Sequence, residues 1–171
     1  MKHTDISCLI ELYGKKIYNF CLRLCGNTYD AEDLYQETFL KAMEKISVID
    51  EDNNPSAYLC SIALSLYKSK VRKAARRHAI APTVSIDDAT LTAQEKSFEE
   101  DILSKELFSE IKTAVSQMDE KLRVCVILHY VASLPLGEIA RITRLPEGTV
   151  KSRLFTARKL LKEKFVKGAQ L

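Results

Sequence analysis

The sequence predicts an all-α protein: two small helical bundles joined by a flexible linker, the C-terminal one containing a helix-turn-helix. Three observations lead there. Apolar residues recur at helical spacing, no segment alternates as a half-buried strand would, and only 5 Gly and 4 Pro interrupt 171 residues. The pattern lapses across residues 79–98, where Ala81-Pro82-Thr83-Val84-Ser85 leads into an acidic stretch too poor in apolar groups to form a core. Beyond it, Leu134–Leu161 reads as a helix, a tight turn and a strongly basic second helix.

The first helix is expected from about Asp5 to Cys25, with Leu9, Tyr13, Ile17, Phe20, Cys21 and Leu24 on one face. Gly26-Asn27 ends it with residues that tolerate left-handed backbone. The second helix, roughly Tyr29 to Ile46, has Thr28 as its expected cap and Ala31, Leu34, Thr38 and Ala42 as its inward set. Asn54 and Pro55 suit the cap and first position of a third helix, whose core side is Leu59, Ile62, Ala63 and Leu66. That bundle occupies residues 1–79, a linker follows at 80–102, and a second bundle fills 103–171. Leu103, Leu107, Ile111, Val115 and Met118 restart the helical period, and a helix over Glu120–Ser133 buries Leu122, Cys125, Val126 and Leu128. Pro135 opens the next helix within its first turn, and Ile139, Ala140 and Ile142 form its buried side. Arg144-Leu145-Pro146 makes the turn, and Val150, Leu154, Ala157 and Leu161 face inward from the last helix.

A net charge of +3 averages over strong local bias. Lys68–Arg77 carries Lys68, Lys70, Arg72, Lys73, Arg76 and Arg77 without an acid, whereas Asp87–Glu110 is acidic and the C-terminal helix is basic again. Two basic patches separated by an acidic strip suit two contacts with a polyanion. The 5 cysteines are odd in number and scattered, which argues against a disulfide framework and against secretion. Cys21 and Cys25 stand one turn apart as a possible metal pair, but His3, His78 and His129 are isolated, so buried free thiols are expected, with no metal and no cofactor. Without a signal-peptide pattern or a run of membrane-spanning length, a soluble, cytoplasmic chain with no direct membrane association is expected.

The outer face of the last helix carries Lys151, Ser152, Phe155, Thr156 and Lys159, flanked by Arg153 and Arg158. Cations, hydroxyls and one apolar group can meet guanine edges, phosphates and thymine methyls in a major groove. A basic surface helix on an ordinary bundle is the plainer alternative, against which helix-turn-helix spacing and one-sided charge both weigh. In the second helix Asp33, Gln36, Glu37 and Leu40 share the outside, an acidic stripe with an exposed leucine. Acids in a first turn complement the helix dipole. That does not account for Leu40, nor for an acidic face on a DNA binder. A protein partner with basic and apolar groups accounts for both.

Two runs resemble a known family. Asp30-Ala31-Glu32-Asp33-Leu34-Tyr35-Gln36-Glu37-Thr38-Phe39 is similar to the D-A-E-D-L-x-Q-E-x-F signature of bacterial sigma factor region two. Glu138-Ile139-Ala140, then Pro146-Glu147-Gly148-Thr149-Val150-Lys151-Ser152-Arg153-Leu154 and Ala157-Arg158, resembles the promoter-reading region of the extracytoplasmic-function group of those factors. The resemblance implies a protein without covalent chemistry that binds core RNA polymerase through its β′ and β subunits. Such a protein recognises two promoter elements and helps open the DNA. It implies polymerase docking by Asp33, Gln36 and Glu37 through the motif, and by Leu40 through helical position. Being on the outside of the helix, Asp33, Gln36 and Glu37 are expected to be solvent-exposed and to contribute little to folding. The resemblance implies upstream-element contacts by Thr149, Lys151, Ser152, Arg153, Phe155, Thr156, Arg158 and Lys159. In the third helix it implies a downstream-element role for Tyr58, which keeps an aromatic where the family has tryptophan, and phosphate tracking by Arg72, Lys73, Arg76 and Arg77. A core or interface aromatic describes Tyr58 equally well. Asn53 and Asn54, in the loop Asp50–Ser56, stand where the family captures a flipped base, although solvation and helix capping also account for them. Thr156 replaces a usual arginine, which removes or alters one DNA contact, and Ser65 and Ser69 replace a usual asparagine and aspartate. An anti-sigma protein is a further partner that the resemblance brings for many members. Three rival readings remain: a stand-alone helix-turn-helix regulator, which has no need of the acidic face; a metal- or thiol-dependent hydrolase, which lacks a nucleophile–base pair or complete ligand set; and a non-transcribing decoy, to which Ser65 and Ser69 point.

Overall fold

The computed structural model describes residues 5–50, 52–80 and 102–168, with the side chains of 102–104 and 167–168 outside that description. The chain divides into two units, residues 1–92 and 93–171, and no strand occurs among the described residues. The expected linker, 80–102, lies outside the described residues apart from its two ends, Ile80 and Ile102, which belong to helices.

In the first unit α1 spans Ile6–Cys25. The Asp5 carboxylate accepts the Ser7 N–H at 3.2 Å, and Gly26, at φ 77°, closes the helix by donating its N–H to the Leu22 carbonyl at 2.9 Å. That φ is one an L side chain adopts only under strain, so glycine belongs there. The helix α2 spans Thr28–Glu44, and its cap is Asn27 rather than the expected Thr28. Both residues can cap, but the Asn27 amide reaches further: its oxygen accepts the Asp30 N–H at 2.9 Å while its NH₂ donates to the Asp30 carboxylate at 2.8 Å. The helix stops at Glu44, two residues short of the expected Ile46, and a 3₁₀ turn, Ile46–Val48, follows. The third helix, α3, spans Pro55–Ile80, and Asn54 caps it by accepting the Ala57 N–H at 3.2 Å.

These three helices pack on one another around Leu9, Ile17, Phe20, Cys21, Leu34 and Leu59, all essentially inaccessible to water. Burying side chains of this size is worth ~1.5–3 kcal/mol each. The expected inward set of α2 is fully buried, and Phe39 joins it. Close approach of α1 and α2 uses Gly14: a Cβ there would come within 2.9 Å of the Tyr35 hydroxyl. The Tyr35 ring meets Tyr18 and Phe39 edge-on, with centroids 5.8 and 4.9 Å away. From Val71 onward every residue of α3 is exposed, so the basic run leaves the bundle as a solvated extension of a helix anchored in it.

The first described helix of the second unit is α4, Ile102–Ser116, in which Ala114 is the buried residue among the described side chains. Ile111 and Val115 are half-buried, whereas Leu107, expected inside, is half exposed together with Phe108. Phe108 instead lies under the Lys112 ammonium, 4.2 Å from the ring centroid. The helix expected over Glu120–Ser133 is regular only as α5, Glu120–Val126, and continues as a π-helical turn, Ile127–Val131. Five successive residues, Val124–Leu128, are buried, more than one stripe of a regular helix can hide. Ser133, at φ 54°, reverses the chain, with Leu134 N–H on the Leu128 carbonyl at 3.1 Å.

Pro135 precedes α6, Leu136–Thr143, as its extended cap residue rather than sitting in its first turn. Arg144 ends α6 in the left-handed region, φ 56°, while Leu145 N–H returns to the Ala140 carbonyl at 3.0 Å. The last helix, α7, spans Glu147–Gly168. Ile139, Val150, Leu154 and Ala157 are buried as expected, and Leu161 is half-buried toward the frayed end of the contact. Helix, turn and basic helix are thus held together by their apolar sides.

Candidate functional site

Three surfaces collect the residues singled out by the sequence. The first is the outer side of α2. Its inward residues Ala31, Leu34, Thr38 and Ala42 fix the phase of the helix, so Asp33, Gln36 and Leu40 are exposed, Leu40 by 57 %. Met43, three residues on and 50 % exposed, extends the apolar part of that face. Glu37 departs from expectation: it is half-buried, because Lys70 of α3 reaches across to it. The Lys70 Nζ lies 2.7 Å from the Asp33 carboxylate and 3.0 Å from that of Glu37. Partial burial works against the ammonium, but hydrogen bonds to Asp33 and Glu37 outweigh it and hold Lys70 above its ordinary value. The two acids are therefore tied into the bundle, not free as expected.

Lys70 was not distinguished from its neighbours by sequence, which offers only one more cation in a basic run. The available signal was opposite charge on helices that must pack together, and 37 residues separate Lys70 from Asp33.

The second surface is α3. Tyr58 is half-buried in its first turns, and Arg72, Lys73, Arg76 and Arg77 are exposed on the extension. Asn53 is exposed, whereas the Asn54 side chain is engaged as the helix cap. The 3₁₀ turn and Ile49, 6 % exposed, lead into this loop, and the Asp50 carboxylate accepts the Asp52 N–H at 3.0 Å.

The third surface is α7. Lys151, Ser152, Phe155, Thr156, Arg158 and Lys159 are exposed, Phe155 by 66 %, while Thr149 and Arg153 are half-buried. Hydroxyls here turn back on their own helix: Ser152 donates to the Thr149 carbonyl and Thr156 to the Ser152 carbonyl, each at 3.0 Å. The Arg158 guanidinium is held from outside the helix, donating to the Tyr130 hydroxyl at 3.1 Å. Tyr130 is a second residue that sequence reading passed over.

The thiols have a different character. Burial pushes Cys21 up to about 12, with Cys25 and Cys60 adding to it; burial alone accounts for the rise of Cys60 to about 12, and burial then Asp30 for that of Cys25 to about 11. Such thiols stay protonated at neutral pH and are poor nucleophiles and poor metal ligands. Among the described residues no group of three or more His, Cys, Asp and Glu could hold a metal ion. No helix among them is long and apolar enough to cross a membrane.

Comparison with known proteins matches the first surface and its bundle, residues 9–77, to Sigma-70 region 2, and residues 108–161 to Sigma-70, region 4. The chain is 31% identical to the ECF RNA polymerase sigma factor SigW of Bacillus subtilis over 91% of this chain and 86% of that protein. It is 27% identical to the ECF RNA polymerase sigma factor SigM of the same organism, over 94% of each chain. Among solved structures, it resembles the sigma factor RpoE crystallised with the anti-sigma factor NepR from Bartonella quintana, at a TM-score of 0.79 and 25% identity, covering 92% of this chain and 94% of that one. The CnrH chain, solved with the cytosolic domain of CnrY, shares the fold at a TM-score of 0.66 and 17% identity, over 95% and 88% of the two chains.

Proposed function

This chain belongs to the ECF RNA polymerase sigma factors, proteins that direct the polymerase to specific promoters, and we propose which of its surfaces carry out that task. Residues 1–79 are the docking and downstream-element domain, 80–102 the linker, and 103–171 the upstream-element domain. Asp33, Gln36, Glu37 and Leu40 dock on core polymerase, joined by Met43, whose exposure beside Leu40 supplies the apolar part of the contact. Arg72, Lys73, Arg76 and Arg77 track phosphates along the extension of α3, and Tyr58 faces the downstream element. Thr149, Lys151, Ser152, Arg153, Phe155, Thr156, Arg158 and Lys159 read the upstream element in a major groove. An anti-sigma protein is a further partner class, as in the RpoE–NepR complex.

The observation that carries this reading is the pairing, in one chain, of an acidic, apolar-edged face on α2 with a basic face on α7. DNA repels the first and attracts the second, so a protein must be the partner of the first. Neither DNA-facing element suffices alone: α7 is one reading helix, and the α3 extension offers mainly charge, which binds without sequence preference. Holding both on one polymerase makes the second contact effectively intramolecular, so two weak contacts become one tight one.

Run-off transcription with the native core enzyme on a library of host promoters tests this. Specific transcripts are expected only when chain and core are both present, with weak, salt-sensitive DNA binding by the chain alone. Tight sequence-specific binding by the free chain without a polymerase-dependent transcript would overturn the reading in favour of a conventional regulator.

A further inference from the structure

We infer that Tyr130 is a positioning residue for Arg158, holding its guanidinium ready for promoter DNA; this rests on α7 being the upstream-element reader. The two residues lie 28 positions apart, and the contact joins the π-helical turn to the exposed side of α7. Tyr130 is 52 % exposed, so its place is not explained by core packing. Its ring is braced instead by its neighbour His129, edge-on at a centroid distance of 4.8 Å and an interplanar angle of 78°. His129 is fixed in turn, with Nδ1 3.1 Å from the Leu134 carbonyl oxygen. A carbonyl only accepts, so Nδ1 carries the proton at that contact. Leu134 itself is buried, 2 % exposed, at the entry to the helix-turn-helix. A line of contacts therefore runs from the core of the second unit, through two rings, to one arginine of the reading face.

The physical consequence concerns freedom. An exposed arginine samples many rotamers, and ordering it on binding forfeits side-chain entropy. A tyrosine has two side-chain torsions, and one braced by a fixed neighbour restrains whatever it bonds, so part of that loss is already met in the free protein. The restraint matters more in this chain than a lone surface bond would. Thr156, where the resemblance places an arginine, is exposed and bonds the Ser152 carbonyl, so this stretch of α7 relies on Arg158 for its oriented cation.

The test uses the full chain bound to core polymerase and, as probe, the labelled promoter duplex identified by run-off transcription. Tyr130→Phe, Arg158→Ala and the double variant are titrated at several salt concentrations, with melting followed in parallel. Arg158→Ala should weaken binding about tenfold or more. Tyr130→Phe, which removes one hydroxyl, should weaken it roughly 3- to 10-fold with unchanged melting, and should weaken the Arg158→Ala variant no further. A Tyr130→Phe variant that binds like wild type while Arg158→Ala is impaired overturns the positioning role, as does a loss that recurs in full on the Arg158→Ala background. Wild-type binding by Arg158→Ala would remove Arg158 from the reading face itself, and the inference with it.

Discussion

On α2 the acids Asp33 and Glu37 are already engaged by the chain itself, through Lys70 of α3, whereas on α7 Lys151 and Lys159 face solvent and the neighbouring hydroxyls bond their own backbone. The acidic face is therefore a tertiary object, because its charge balance depends on two helices being packed. The reading face, apart from Arg158 with its bond to Tyr130, is a secondary one, displayed by a single helix whose other side is secured by Val150, Leu154 and Ala157. Substitutions of the bridged acids should disturb folding and docking together. Substitutions on the reading face should disturb binding alone.

The largest expected effect tests the first half of that contrast. Replacing Asp33 and Glu37 with Lys gathers three ammonium groups where one bridged two carboxylates. Polymerase binding should be lost, and melting of the first unit should fall as well, by roughly a few degrees, since exposed pairs contribute ~0.2–1 kcal/mol each. Binding is measured by competition against the wild-type chain, and melting by circular dichroism. Gln36→Ala with Leu40→Ala should weaken docking without the stability loss, because neither side chain takes part in the bridge. Wild-type melting of the Lys double variant would show that the bridge contributes nothing to the fold.

On α7 the second effect should be smaller and confined to DNA. Lys151→Ala or Arg153→Ala should cost about 1–3 kcal/mol at one promoter position if the side chain meets a base edge. A phosphate contact would weaken all sequences alike and lower the salt slope by about one. Titration of promoter variants by the polymerase-bound chain distinguishes the two. Wild-type binding by both variants under all conditions would remove this face from DNA recognition.

The same contrast decides what the sequence could reveal. On α1, α2 and α7 the period of a single helix was enough to identify most of the inward residues, and with them the exposure of Leu40 and Phe155. The division into two helical units and the left-handed Gly26 were legible because helical period and backbone chemistry are local. What escaped was either a choice between adjacent equals, as with Asn27 and Thr28 at the cap of α2, or a contact across packed helices. Leu107 fits the helical period of α4 but is half exposed, because periodicity identifies a stripe without saying what covers it. The π-helical turn was hidden inside a continuous apolar run, where a regular helix and a widened one look alike. Lys70 and Tyr130 are both products of tertiary structure, and each joins a candidate site to a helix far away in sequence.

The smallest effect isolates the bridge from docking. Lys70→Met removes the cation while leaving both acids, and because the partners are more than one-third exposed the loss should be at most about 1 kcal/mol at neutral pH. Thiol labelling can detect so small a change unit by unit: Cys21 and Cys60 are buried in the first unit and Cys125 in the second. A loss of 1 kcal/mol opens the first unit about fivefold more often, so Cys21 and Cys60 should label up to about that much faster while Cys125 keeps its wild-type rate. Alkaline pH adds a signature. The buried thiols titrate higher when folded than their ordinary 9.0, so the unfolded chain loses those protons first and stability declines as pH rises above 9.0 toward about 12. Lys70 also titrates higher when folded than its ordinary 10.5, so its contribution is complete below 10.5 and disappears above it. Wild type should therefore lose the Lys70 contribution on top of the thiol-driven decline, and Lys70→Met should show the thiol-driven decline alone, enlarged because Lys70 also holds Cys21 and Cys25 down. Equal acceleration of Cys125 labelling would mean that the effect of Lys70 does not pass through its bridge to Asp33 and Glu37 in the first unit.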